Sequence, residues 1–141
     1  MAASHTPPLV IFACVHNAGR SQMAAAFFLQ LADPARASAV SAGTQPGDRV
    51  HPVVVDVMRE AGMDISRNQP QLLTDDLARR GTLLITMGCG DECPHVPGVQ
   101  RDDWPLADPK SRPIEQVRTI RDEIRHRVGE LVNARGWAKS R

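Results

Sequence analysis

Tyrosine is absent and aromatic residues make up only 4% of the 141-residue chain, so the stacking platforms that hold single-stranded nucleic acids have little to be built from. An excess of one charge is missing too. Lys and Arg number 17 against 16 Asp and Glu, a formal +1, which argues against broad neutralisation of a phosphate backbone and leaves room only for a small, focused anion pocket. No apolar run approaches the roughly 18 to 20 residues of a membrane helix; the longest, Leu9 to Val15 and Met23 to Leu29, have seven residues each. No Lys or Arg precedes the first run to form the charged start of a secretion signal. The three cysteines, Cys14, Cys89 and Cys93, are too few and too unevenly placed for the disulfide framework of a small secreted domain. The expectation is a cytoplasmic chain with no membrane and no nucleic-acid partner, whose thiols are reactive, metal-binding or buried.

What is present suits a compact fold. With 42% hydrophobic and 23% charged residues, the chain has material for one core, and 1–141 reads as a single domain with residues 1–8 as a flexible leader. Leu9 to Val15 reads as a strand buried on both faces, as in parallel sheets. A small, polar stretch follows, then good helix formers from Gln22 to Leu31. Ser38 to Ala42 is a short strand closed by the turn-rich Gly43-Thr44-Gln45-Pro46-Gly47. Pro52 opens a helix that Gly62 stops, and Thr74 or Asp75 caps a short helix through Arg80. Thr82 to Met87 is another apolar strand. Met87 to Asp108 is mostly loop with a short strand near Val99, and apolar residues from Ile114 to Val132 step by threes and fours through a charged, solvated helix ending before Gly136. The alternation predicts an α/β fold, an open and mostly parallel sheet with helices on both faces and its ligand at the C-terminal strand ends.

Chemistry concentrates first at Cys14-Val15-His16-Asn17-Ala18-Gly19-Arg20-Ser21, between a strand and a helix. In such a loop, Val15, His16, Asn17, Ala18, Gly19 and Arg20 can form an oxyanion-binding concavity: successive N–H groups face inward, the helix presents its positive end, and the guanidinium supplies a planar fork. Cys14 then lies at its floor, where these donors favour the nucleophilic thiolate and Ser21 can add a hydroxyl hydrogen bond. Asn17 and Gly19 are the residues expected to take left-handed backbone where the loop curls. His16 is expected to face solvent, and Trp104 to pack over the core rather than wall the pocket.

The loop, continued by Gln22-Met23-Ala24, resembles the arsenate reductases built on the low-molecular-weight protein tyrosine phosphatase scaffold. The likeness extends through Ser41-Ala42-Gly43-Thr44, His51-Pro52, Gly62-Met63-Asp64-Ile65-Ser66, Thr86-Met87, Cys93-Pro94, Trp104, Asp108-Pro109 and Arg121-Asp122-Glu123-Ile124. It implies a three-layer, four-stranded parallel sheet flanked by helices, and reduction of arsenate to arsenite with phosphate and sulfate as competing oxyanions. Asp108-Pro109 matches the family's general-acid Asp-Pro, which would protonate the departing oxygen. Certain members hold a potassium ion through a carboxylate just after Ser-Gln-Met-Ala; here Ala24-Ala25-Ala26 stands, so no such metal is expected.

Cys89 and Cys93 separate reductase from phosphatase. If their loop coils, the two thiols can meet, and a reductase needs them because each arsenate consumes two electrons. The expected relay is attack by Cys14 on arsenate, by Cys89 on Cys14 and by Cys93 on Cys89, with thioredoxin restoring the pair and no cofactor bound. Thioredoxin-coupled members separate that pair by more than the three residues found here, and some relatives use mycothiol or glutathione instead. The rival readings are a tyrosine phosphatase, against which stand the absent Tyr and Lys110 after Asp-Pro, and a non-enzymatic oxyanion sensor or zinc site from Cys89, Cys93 and His95, with Cys14 as a candidate fourth ligand. A monomer is expected.

Overall fold

A computed structural model of the chain describes residues 7–88, 93 and 95–139. Most of the expected leader, residues 1–6, and Cys89 lie outside the described residues. Four parallel strands, β1 (Leu9–Cys14), β2 (Ser38–Gly43), β3 (Leu83–Thr86) and β4 (Gln100–Asp103), form one sheet in the order β2-β1-β3-β4. The helices are α1 (Arg20–Leu31), α2 (Pro52–Glu60), α3 (Asp75–Arg80) and α4 (Ile114–Ala134). Among the described residues, no helix is long and apolar enough to cross a membrane.

The continuous apolar run of β1 is explained by two cores. Side chains alternate across a strand, and Val10, Phe12 and Cys14 enter a cluster with α1, α2 and α4, while Ile11 and Ala13 enter another with Leu77 and Ala78 of α3. Phe12 anchors the larger core, its ring 6.0 Å from Phe28 and 5.8 Å from Trp104. Burying one such side chain contributes about 1.5–3 kcal/mol.

Local signals place the element ends. Thr74 caps α3, its Oγ1 accepting from the N–H of Leu77 at 3.0 Å, and Pro52 occupies the first turn of α2, where its missing N–H costs nothing. Two expectations are corrected. Helix α1 begins at Arg20 rather than Gln22, because Arg20 and Ser21 are buried by neighbouring segments despite their polarity. The basic face of α4 is not simply solvated: Arg118 and Arg121 both grip Glu60 of α2, at 2.7 and 2.8 Å, and Arg121 also donates to the Val57 carbonyl at 2.9 Å.

The chain leaves β1 toward β2 on one side and returns to β3 on the other, so the connections diverge above the C-terminal ends of β1 and β3. In open α/β sheets this divergence creates the ligand crevice. Cys14 ends β1, and Thr86 ends β3.

Candidate active site

Between β1 and α1 the backbone is turned by its neighbours. The carbonyls of Cys14, Val15, His16 and Ala18 accept from the N–H groups of Thr44, Gln45, Gly47 and His51, at 3.2, 2.8, 2.9 and 2.9 Å. The Asn17 carbonyl accepts from Gln22 Nε2 at 3.0 Å, and that of Gly19 from the N–H of Met23 at 3.0 Å. In a trans peptide the carbonyl and the next N–H point in opposite directions. The N–H groups from Val15 to Arg20 therefore point away from these partners, and among the described residues none finds an acceptor. Among the described residues these are six donors in succession without an acceptor, an arrangement that can take up an anion.

Steric detail supports the curl. Asn17 takes left-handed backbone, φ 51°, as expected, but Gly19 does not, at φ −143°. Gly19 serves by its size: a Cβ there would stand 2.8 Å from Cγ of Pro109. Gly43 likewise lets β2 approach the loop, since a Cβ would meet the Val15 carbonyl oxygen at 2.6 Å.

Cys14 is a buried, free thiol whose Sγ lies 2.9 Å from Oγ of Ser21. The N–H of Gln71, which can only donate, points to Asn17 Oδ1 at 2.9 Å, so the other end of the Asn17 amide, Nδ2, donates to Ser21 Oγ at 2.8 Å. A thiolate only accepts, so when Cys14 is ionised the Ser21 hydroxyl turns its own proton toward sulfur while its oxygen receives that of Asn17. Asn17 and Ser21 are fully buried.

Arg20 and Asp108 meet across the pocket. Arg20 donates through Nη1 to the Leu106 carbonyl at 3.0 Å, and its Nη2 lies 3.7 Å from Asp108 Oδ2. The Asp108 side chain is 48% exposed against 10% for Arg20, so the carboxylate faces solvent while the guanidinium is held. Asp108 Oδ1 accepts from the N–H of Lys110 at 2.9 Å, and its carbonyl from Arg112 Nε at 2.6 Å, bonds that shape the loop around Pro109. Pro109 packs on Gly19 and joins the two segments.

His16 turns outward, its Nδ1 3.0 Å from the Gln45 carbonyl oxygen. Trp104 is buried against Phe12 as expected, and it also lines, with Thr86 and Gly88, a groove of about 620 Å³ at the ends of β3 and β4. Cys93 is buried in the α3-side core and disulfide-bonded, and its carbonyl accepts from Arg101 Nη1 at 3.2 Å. Cys89, a member of the expected relay and of the rival zinc set, lies outside the described residues. Among the described residues, no group of three or more His, Cys, Asp or Glu is placed to hold a metal.

Nothing in the sequence assigns His51 a role beyond the His51-Pro52 match. It occupies the N-cap position of α2 without a side-chain cap bond and flanks the loop after β1, with partial burial pushing its pKa below the ordinary imidazole value, Asp108 opposing that shift, and Lys110 and His16 reinforcing it. Nor does the sequence single out the supporting Gln22 and Gln71, whose bonds to Asn17 span 5 and 54 positions.

Fold and site together define a class: α/β proteins that end a strand on a buried cysteine and follow it with a loop of open backbone N–H groups leading into a helix. Residues 9–139 match the model of the low molecular weight phosphotyrosine protein phosphatase family, and the chain belongs to that family. A Halobacterium salinarum protein provisionally named arsenate reductase is 40% identical over 126 residues, covering 85% of this chain and 87% of that one. Staphylococcus aureus arsenate reductase is 33% identical over 125 residues, covering 85% and 92%. The solved thioredoxin-dependent arsenate reductase of Corynebacterium glutamicum superposes with a TM-score of 0.81 at 40% identity over 95% of this chain, which spans 64% of the Corynebacterium chain's length.

Proposed function

We propose that the protein is an arsenate reductase acting as a single-domain, cytoplasmic monomer, with Cys14 as nucleophile. Arsenate sits on the N–H groups of residues 15–20 and on Arg20. The Cys14 thiolate, favoured by the Ser21 hydroxyl, attacks arsenic, and Asp108 protonates the departing oxygen, which leaves as water. Cys89 attacks Cys14 Sγ; the sulfur–arsenic bond breaks with its electron pair staying on arsenic, releasing arsenite and leaving a Cys14–Cys89 disulfide. Cys93 displaces Cys14 from that disulfide, and the dithiol of thioredoxin reduces the resulting pair.

The observation that carries this reading is the unequal state of the thiols. In a chain of three cysteines, Cys14 is free beside its hydroxyl donor while Cys93 is already in a disulfide. Hydrolysis has no use for such a pair; passing on two electrons requires one. The names of the relatives support the same substrate, and the Corynebacterium enzyme supports thioredoxin as electron donor.

The test is arsenate-dependent NADPH oxidation with thioredoxin and thioredoxin reductase, beside Cys14→Ser and Cys93→Ser. Multiple turnovers abolished in both variants support the mechanism. Turnover retained by Cys14→Ser refutes the nucleophile. Activity only with a low-molecular-weight thiol such as mycothiol or glutathione refutes the internal relay, and greater efficiency on an aryl phosphate than on arsenate refutes the reductase in favour of the phosphatase.

A further inference from the structure

The hydrogen bonds that orient Ser21 do not begin at Asn17. Gln22, 3% exposed in the first turn of α1, directs Nε2 to two oxygens of Asn17, the backbone carbonyl at 3.0 Å and Oδ1 at 3.3 Å. A backbone carbonyl only accepts, so this end of the Gln22 amide is its nitrogen, and Oε1 is left to accept from Asn68 Nδ2, at 3.2 Å. Two backbone groups of unambiguous sense, the Asn17 carbonyl and the Gln71 N–H, thus fix every amide in the chain Asn68, Gln22, Asn17, Ser21, Cys14. Each amide donates to the next group along, and with Cys14 as the thiolate, which only accepts, Ser21 completes the run of donors toward sulfur.

We propose that Gln22 is a positioning residue for Cys14: through Asn17 it holds the Ser21 hydroxyl proton on the sulfur, with Asn68 anchoring its far end in the exposed segment before Gln71. This rests on the reading of Cys14 as the nucleophile and adds a residue that never touches substrate. Bonds aligned head to tail polarise one another, and in a buried site the last donor meets a charge that water does not screen. Without Gln22, the Asn17 amide keeps the Gln71 bond but loses the donor shared by its carbonyl and Oδ1. The loop carbonyl is then unpaired in a buried place, and the amide can swing away from Ser21.

Iodoacetamide alkylation, followed at Cys14 by mass spectrometry of its peptide, tests this on the full chain; among the described residues Cys14 is the free thiol. The reagent reads thiolate whether or not arsenate is turned over, so failure of this inference and failure of the reductase assignment give separate results. At pH 7, Gln22→Met is expected to slow alkylation about three- to tenfold, the effect of losing roughly one net hydrogen bond. Its rate should rejoin that of the wild type at alkaline pH, where the thiol is ionised in both. In a Ser21→Ala background, Gln22→Met should slow the reaction no further, because the path through Ser21 is already cut. Asn68→Ala, at the exposed end where folding is not at stake, should act in the same direction by about twofold. An unchanged rate in Asn68→Ala and Gln22→Met overturns the proposal. So do independent, multiplying effects of Gln22→Met and Ser21→Ala, or a deficit in Gln22→Met that persists at alkaline pH, each of which marks a merely structural residue.

Discussion

Gly88 offers a substitution whose effects on stability and on function should separate. Its φ is +98°, and a Cβ built there falls on the Arg20 guanidinium, 3.0 Å from Cζ and 3.3 Å from Nη2, with Nη1 nearer still. In Gly88→Ala the left-handed backbone costs about 1–2 kcal/mol, and the clash is relieved when the end of the Arg20 side chain withdraws, which breaks its bond to the Leu106 carbonyl. What withdraws, however, is the group proposed to bind the oxyanion. Gly98 supplies the control: its φ is +85° and nothing lies within 4 Å of its Cβ position, so Gly98→Ala carries the backbone cost without the clash. Gly98→Ala should melt roughly 3–7 °C below the wild type, and Gly88→Ala at least as far below. Only Gly88→Ala should also lose anion binding. A charge-assisted hydrogen bond contributes about 1.5–3 kcal/mol, so displacing one or more from Arg20 should raise the inhibition constant of phosphate, and lower kcat/KM for arsenate, roughly ten- to a hundredfold. The assays are thermal unfolding and competitive inhibition by phosphate. Phosphate inhibition within twofold of the wild type in Gly88→Ala would refute the claim that the guanidinium must stay over Gly88 to bind an oxyanion.

Two further outcomes follow from carboxylates. Asp108→Asn should lower kcat about a hundredfold or more by removing the proposed proton donor, while phosphate inhibition stays as strong as in the wild type or strengthens, because the carboxylate 3.7 Å from Arg20 no longer competes; weakened phosphate binding would show that Asp108 holds the pocket rather than the proton. Glu60 is held at about 2, below its ordinary 4.5, chiefly by the hydrogen bond from Arg118 and then by that from Arg121. A carboxyl whose folded pKa is depressed stabilises fully above its unfolded value and loses that contribution as pH falls through its folded one. The melting-temperature gap between wild type and Glu60→Gln should therefore be constant above about pH 5 and close between 4.5 and 2; a gap that persists at the acidic end contradicts the pairing.

Much of this was legible in the residues because it was local. The run from Leu9 announces a strand buried on both faces, and Val10 and Ile11 do go to opposite cores. Thr74 caps α3 as its type suggests, and Asn17 curls the loop as an asparagine can. What stayed hidden depends on distant chain. Thr44-Gln45-Pro46-Gly47 reads as a turn, with nothing to say that its N–H groups pull the loop carbonyls outward and so leave the opposite amides open. Gln22 looks like a good helix former, and its partnership with Asn68 spans 46 positions. The basic residues of α4 carry no mark that Glu60, 58 positions before Arg118, will take two of them.

Arg20 shows why the site can serve sulfur chemistry as well as oxyanion binding. Its guanidinium touches the Leu106 carbonyl, approaches Asp108 and lies against Gly88, so one side chain ties the β1 loop to the segments that leave β4 and β3. On the proposed mechanism a hydrolase would need the second of these connections, which sets the acid beside the arginine. The third bears on the proposed relay, because the residue that follows Gly88 in the sequence is Cys89 and the sequence continues to the disulfide-bonded Cys93. On that reading a side chain at position 88, by moving Arg20, should disturb arsenate binding next to the proposed resolving thiols, whereas loss of Asp108 should disturb only the protonation of the departing oxygen.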